Sequence, residues 1–295
     1  MREINSGKEQ KKFLLFRLSR SVRMLIYLPL IAVLLIWGVR KLEYFVTYHP
    51  RSYSPGPHWE PPSNGENVWF RLKTGERVHG WFVRAIQGPA DVTVLYCHGN
   101  GGDLTDVGWL AEELSNRKMD VLIFDYRGYG RSEGRLTNEW GLYADAEAAY
   151  EYLTRERGVK KERLILHGQS LGTTAAIDIA SRHPCAALIV ESGLSSASDM
   201  GAVALPWLPR WLHFLSTNRF ESARKIASVS CPVFIAHGTN DNVIPVEQGR
   251  RLYEAAREPK RLMIIEGGDH NLMGNGGGKY FDQISEFIQS AIARR

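Results

Sequence analysis

Ser170 is the residue around which chemistry is organised in this chain. It stands in Gly168-Gln169-Ser170-Leu171-Gly172, between the apolar run Leu164–His167 and the small-residue stretch Thr173–Ala180. A G-x-S-x-G pentapeptide between a strand and a helix puts a serine hydroxyl on a sharp turn at the end of a sheet. The glycines are steric requirements, since side chains at 168 and 172 would collide with the turn or the neighbouring strand. The dipole of the following helix favours negative charge developing near Ser170. A serine hydroxyl is a weak nucleophile without a base, and the base needs a third group to orient it.

Two later loops offer those partners in the order Ser, acid, His. The apolar strand Cys231–His237 runs into Gly238-Thr239-Asn240-Asp241-Asn242, which makes Asp241 the expected acid. The strand Arg261–Ile265 runs into Glu266-Gly267-Gly268-Asp269-His270-Asn271, which makes His270 the expected base. Two other acids compete. Glu191 follows an earlier strand, and Asp269 adjoins His270 but reads as a solvated turn residue. His98, His167 and His237 end strands and read as structural. A tetrahedral oxyanion needs backbone N–H donors. Leu171, next to the serine, is one candidate. Asn100, in the glycine-rich His98-Gly99-Asn100-Gly101-Gly102, is the other.

Elements of two periods must carry these loops. Asn67–Lys73 and Arg77–Ala85 read as a hairpin about Thr74-Gly75-Glu76. Short apolar runs at Asp91–Cys97, Asp120–Phe124, Arg163–His167, Ala186–Val190, Val233–His237 and Arg261–Ile265 read as buried strands. Helical spacing falls at 104–117, 139–156, 171–182, 246–257 and 279–293. Alternation of this kind predicts a mostly parallel sheet covered on both faces, with ligands outside the carboxyl ends of its strands.

The first 43 residues carry a net charge of +6 and the whole chain +5, which leaves residues 44–295 at −1. A near-neutral body argues against nucleic acid as a partner. Residues 24–39, MLIYLPLIAVLLIWGV, hold no charge and predict a single membrane anchor. It is flanked by Arg23 and Arg40, with Trp37 and Tyr44 as interfacial rings. The flanking Trp37-Gly38-Val39-Arg40-Lys41 is a poor signal-peptidase context. Seven Lys/Arg precede the run and two follow it, so a cytoplasmic N-terminus and an extracytoplasmic body in periplasm, cell surface or lumen are expected. The domains then read as a basic tail (1–23), an anchor (24–39), a Pro/Ser/Gly-rich extended linker (40–66) and a folded body (67–295). Cys97, Cys185 and Cys231 form no C-x-x-C pair and read as small buried hydrophobes. There is no metal-ligand spacing, and no glycine-rich stretch is followed by the Lys-Ser/Thr of a phosphate loop, so neither metal nor cofactor is expected.

HGNGG, DYRGYGRSEG (Asp125–Gly134), GQSLG, CPVFIAHGTNDNVIP and GGDHN occur in that order. Over residues 67–293 the chain resembles the membrane-anchored α/β-hydrolase-domain proteins related to the serine aminopeptidase-like hydrolases. Animal relatives of that group include depalmitoylases and lysophospholipases. The resemblance implies an α/β-hydrolase fold and the same triad, Ser170, Asp241 and His270.

Some forty residues separate the strand ending at Val190 from the one starting at Cys231. They are expected to form a short apolar lid over about 194–228, with Trp207, Trp211 and Phe214 toward an acyl chain; aromatics packed on the core are the competing reading. The expected activity is hydrolysis of an ester or thioester of a small-molecule or lipid-like acyl substrate through an acyl-enzyme. A peptidase or amidase is the first alternative, though no acidic cluster near the lid offers a site for a free amine. A membrane-tethered binding protein with an inactive hydrolase fold is the second.

Overall fold

The computed structural model describes residues 19–204, 206–207 and 216–293. It opens on helix α1, Arg20–Thr47, capped by the Ser19 side chain and passing through Pro29. Its segment Val22–Thr47 is long and apolar enough to cross a membrane, with an 18-residue apolar window that is unburied, while Tyr44 near its end packs against the core. The helix passes beyond the expected limit at Val39. No breaker stands between Arg40 and Thr47, and the end comes where His49 precedes Pro50, a position that disfavours helical backbone.

Among the described residues, eight strands build the central sheet: β1 Gly65–Arg71, β2 Arg77–Val83, β3 Val92–Cys97, β4 Met119–Phe124, β5 Leu164–Gln169, β6 Ala187–Glu191, β7 Val233–Gly238 and β8 Lys260–Ile265. They form one sheet in the order β1-β2-β4-β3-β5-β6-β7-β8. The β1–β2 and β2–β4 pairs are antiparallel and the others parallel. The chain leaves β3 toward β4 on one side and returns to β5 on the other. The loops after β3 and β5 therefore meet at the switch point, where open α/β sheets hold their ligands.

Period-2 alternation along the strands sorts the core into two layers. Leu95, Leu122, Leu166, Leu188, Val190 and Ile235 face helices α3 (Glu139–Glu151), α4 (Leu171–Arg182), α6 (Ser222–Ile226) and α7 (Val246–Ala255). Val94, Tyr96, Val121, Ile123, Ile189 and Phe234 face α2 (Gly108–Ser115) and α8 (Leu272–Ala293). The helix expected from residue 104 is broken: Asp103 caps a single turn at Leu104–Asp106, and α2 begins afresh at Gly108. The last helix begins at Leu272, seven residues before the expected start, although glycine disfavours helix by about 1 kcal/mol per residue. Leu272 at one end and Tyr280, Ile284 and Ile288 beyond it are fully buried, which offsets that cost.

The segments assigned to linker and lid also fold more closely onto the body than expected. Tyr48 and Trp59 are buried, and the Trp59 indole N–H donates to the Ser54 carbonyl at 2.8 Å. Leu194, Phe220 and Ile226, near the expected lid margins, belong to the core. Helix α5, Ala197–Ala204, leads out from it.

Two glycine substitutions should move stability in opposite directions. A Cβ at Gly172 would collide with the Cys97 carbonyl oxygen, whereas one at exposed Gly278 in α8 meets nothing within 4 Å. Gly172→Ala should destabilise by about 3 kcal/mol or more. Gly278→Ala should stabilise by roughly 0.5–1 kcal/mol. Thermal unfolding of the detergent-solubilised chain measures both.

Candidate active site

The turn after β5 is as compressed as the pentapeptide requires. Ser170 has φ 52° and ψ −122°, a left-handed backbone that non-glycine residues rarely adopt. Such strain costs on the order of 1–3 kcal/mol and persists only when the surroundings enforce it. A Cβ at Gly168 would lie 2.6 Å from both the Gly172 carbonyl oxygen and Thr173 Cα, so only glycine fits there. The Ser170 N–H donates to the Glu191 carbonyl at 2.9 Å on the adjoining strand β6. The Ser170 carbonyl accepts from the Thr173 N–H at 3.0 Å and its hydroxyl at 2.6 Å. Strand, turn and helix thus pin the serine at the carboxyl edge of the sheet, with 9% of its surface exposed.

Asp241 and His270 reach the same place from the loops after β7 and β8. His270 Nδ1 lies 2.8 Å from Asp241 Oδ2, and Nε2 lies 2.9 Å from Ser170 Oγ. With Nδ1–H donating to the carboxylate, Nε2 presents its lone pair to the serine O–H. The other carboxylate oxygen accepts from the N–H groups of Val243 at 2.9 Å and Ile244 at 2.8 Å. Burial raises the pKa of Asp241, but hydrogen bonds from His237, His270 and the Ile244 N–H outweigh it and hold the carboxyl well below its ordinary range. Asp241 is therefore a carboxylate at neutral pH. This arrangement can pass a proton from a serine hydroxyl to an imidazole and stabilise the resulting imidazolium.

His237 carries a role that its reading as a strand-end residue missed. Its Nε2 lies 2.8 Å from the Ile244 carbonyl and 3.2 Å from Asp241 Oδ2, so this buried ring stands against the same carboxylate oxygen that faces His270. The i,i+4 spacing of a strand-end histidine and the following loop acid was the available signal. The competing groups lie elsewhere. Glu191 is fully buried, accepts from the Tyr280 hydroxyl at 2.9 Å and lies 3.4 Å from His167. Asp269 accepts from the Asn271 N–H at 2.9 Å, as a turn residue does. His98 is buried beside Asp125 at 3.7 Å, and burial lowers its pKa to about 4.

Leu171 is the first residue of α4, where backbone N–H groups have no partner within the helix. Across from it, a Cβ on Gly99 would stand 3.4 Å from Ser170 Cβ, so the backbone of the loop carrying Asn100 lies against the serine. Trp207 is 75% exposed, while Trp211 and Phe214 fall outside the described residues. Cys97, Cys185 and Cys231 are buried, Cys185 Sγ lies 3.1 Å from Cys231 Sγ, and burial raises the Cys97 thiol to about 12. Among the described residues no group of three or more His, Cys, Asp or Glu side chains could hold a metal ion.

The family described as serine aminopeptidase, S33, matches residues 88–224. The uncharacterised protein Rv2307c of Mycobacterium tuberculosis is 38% identical over 81% of this chain and 83% of its own length. YfhR of Salmonella typhi is 32% identical over 94% of this chain and 98% of its own. The human alpha/beta hydrolase domain-containing protein 17B is 34% identical over 75% and 74%. Among solved structures, the Pyrococcus furiosus esterase Pf2001 superposes with a TM-score of 0.66 at 21% identity, covering 83% of this chain and 99% of that one. The likeness extends the common fold across the whole body.

Asp241→Asn tests the electrostatics of this site. The amide should leave the imidazole in the wrong tautomer, lowering kcat on an ester substrate by on the order of 10³–10⁴. Stability should respond in a fixed direction. The folded-state pKa of Asp241 is depressed, so its contribution is complete above about pH 4 and lost as pH falls through the folded value. The variant should therefore lose stability relative to wild type at neutral pH and converge with it in acid, which denaturation at several pH values reads directly.

Proposed function

This chain belongs to the serine aminopeptidase (S33) family of α/β-hydrolases, and on that premise we propose that it is a membrane-anchored serine hydrolase cleaving an ester or thioester of a lipid-like acyl group. The observation that carries the reading is the hydrogen-bonded line Ser170 Oγ, His270 Nε2, His270 Nδ1, Asp241 Oδ2, with links of 2.9 and 2.8 Å. In the proposed reaction, Ser170 Oγ attacks the acyl carbonyl as His270 Nε2 takes its proton. The tetrahedral oxyanion sits between the N–H groups of Leu171 and Asn100. The imidazolium, held by Asp241, returns the proton to the departing alcohol or thiol. Water then enters by the same route, giving up its proton to His270, and releases the acid and the free serine.

Two features support an acyl substrate. Helix α1 is long and apolar enough to hold the body at a lipid surface, and the segment expected as a lid carries exposed Trp207. The excess of basic residues before the apolar run supports a cytoplasmic N-terminus and an extracytoplasmic body.

Labelling of full-length protein in membranes by a fluorophosphonate requires an activated serine. Wild type should label and Ser170→Ala should not; equal labelling of the two would remove Ser170 from the reaction. Each CH₂ of a buried chain contributes roughly 0.8 kcal/mol, so four added carbons should raise kcat/KM by up to about 3 kcal/mol in transition-state binding. Replacing Trp207 and Trp211 by Ala should erode that gain and spare acetyl esters. Falling activity with chain length in wild type would exclude an acyl pocket. Faster turnover of an aminoacyl amide than of any ester would favour the amidase alternative.

The anchor has its own test. The chain should resist extraction from membranes by alkali and retain its N-terminus, and protease added outside sealed cells should reach the body. Protection of the body there would reverse the orientation.

A further inference from the structure

The residues that leave α1 do not hang free; they are bound to the loop that supplies Asn100. The His49 N–H donates to Asn100 Oδ1 at 2.9 Å, and Asn100 Nδ2 lies 2.5 Å from His49 Nδ1. His49 and Pro50 pair in parallel with Gly101 and Gly102. Buried Tyr129 donates its hydroxyl to the same Asn100 Oδ1 at 3.2 Å. Arg51 continues the attachment, its carbonyl accepting from the Gly130 N–H at 3.1 Å and its guanidinium pairing with Asp106 at 2.9 Å. On the helix side, the Tyr48 hydroxyl donates to Asn218 Oδ1 at 2.7 Å. Glu43 accepts from the backbone N–H groups of Thr217 and Asn218, each at 2.8 Å.

The loop needs such support. In Gly99-Asn100-Gly101-Gly102 only Asn100 has a side chain, and glycines give the backbone wide freedom with nothing to pack. The Gly99 carbonyl is held by His98 Nδ1 at 2.8 Å, and beyond it the loop depends on the ladder and on the bonds to Asn100. These come from the juxtamembrane segment and from Tyr129.

We propose that Tyr48–Arg51 is a clamp that sets the oxyanion loop, with the Asn100 side chain as a positioning group and its own N–H as the proposed oxyanion donor. The inference rests on the serine-hydrolase reading of Ser170. It makes the segment after the anchor a working part of the site. Small displacements of a reacting group cost up to roughly 100-fold in rate, and loss of an oxyanion donor roughly 10²–10³-fold, so a loosened clamp should lower kcat by about tenfold or more.

Position 49 separates the backbone bond from the side chain. His49→Pro deletes the N–H donor, whereas His49→Ala keeps it. Tyr48 already has φ −124° and ψ 121°, the extended backbone that a following proline demands. The experiment uses the full chain in detergent micelles and first establishes that fluorophosphonate labelling is lost in Ser170→Ala; failure at that step overturns the hydrolase reading itself. With labelling established, His49→Pro should lower kcat on a short ester about tenfold with KM changed less than twofold. His49→Ala, which keeps the N–H but loses the ring's contact with Asn100 Nδ2, should fall between wild type and His49→Pro. Tyr129→Phe, which removes the second donor to Asn100 without substituting any juxtamembrane residue, should reproduce the deficit confined to kcat, and it carries the test alone should His49→Pro not fold. Asn100→Ala should show the same kcat deficit, and adding His49→Pro or Tyr129→Phe to it should cost less than a further twofold, because all act through one side chain. Equal kcat in the position-49 pair, wild-type kcat in Tyr129→Phe, or full multiplication of the effects in the Asn100→Ala background would each overturn the clamp.

Discussion

The rest of the structure is arranged about the close approach of two backbones, at Gly172 and Cys97. Helix α4 starts so near the end of β3 that no side chain fits at position 172. This nearness brings the Ser170 turn, the Leu171 N–H and the loop after β3 into one small volume. It also enforces the left-handed conformation of Ser170, because β5 is hydrogen-bonded to both β3 and β6 and has no room to relax. Proteins hold strain of this kind where the surrounding packing over-determines the backbone. Here that packing includes the fully buried Leu166, Leu188, Ala175 and Ala176. Core and candidate site are therefore one mechanical unit.

Electrostatics follows from the same placement. Asp241 is buried, yet its charged form is favoured, because two backbone N–H groups and two imidazoles converge on it. A buried carboxylate without them would sooner take up a proton. His270 receives a fixed acceptor on one nitrogen and a hydroxyl on the other. The polarity of the line from carboxylate to serine is thus set before any substrate arrives.

Most of this line was legible in the sequence, for a local reason. Ser170, Asp241 and His270 each follow an apolar run within a few residues, and a parallel sheet aligns the carboxyl ends of its strands. The residues alone therefore placed three loops at one edge. What the sequence concealed depends on contacts across long separations. The bond between His49 and Asn100 spans 51 positions and that between Glu43 and Asn218 spans 175, and neither leaves a periodic trace. The Pro- and Ser-rich stretch after α1 read as a tether because its composition lacks a core of its own; it borrows one, burying Tyr48 and Trp59 in the body. His237 was passed over because a buried strand-end histidine usually satisfies itself, whereas this one faces a carboxylate four residues on.

The attachment of α1 also constrains how the body can stand at a membrane. The helix has 28 residues and so rises about 42 Å, against roughly 30 Å of hydrocarbon. Placed in a bilayer with its uncharged residues 24–39 in the lipid, it leaves its last two turns, with Arg40, Lys41, Glu43 and Tyr44, outside as a short stalk. A flexible linker of twenty residues would let the body turn freely above such a stalk. Glu43, Tyr48, His49 and Arg51 are instead bonded to the body within a single stretch of nine residues. That stretch meets the loop at the carboxyl end of β3 and Thr217 and Asn218 ahead of α6. The proposed oxyanion loop is consequently tied to the residues that leave α1 and is not separated from them by a free tether.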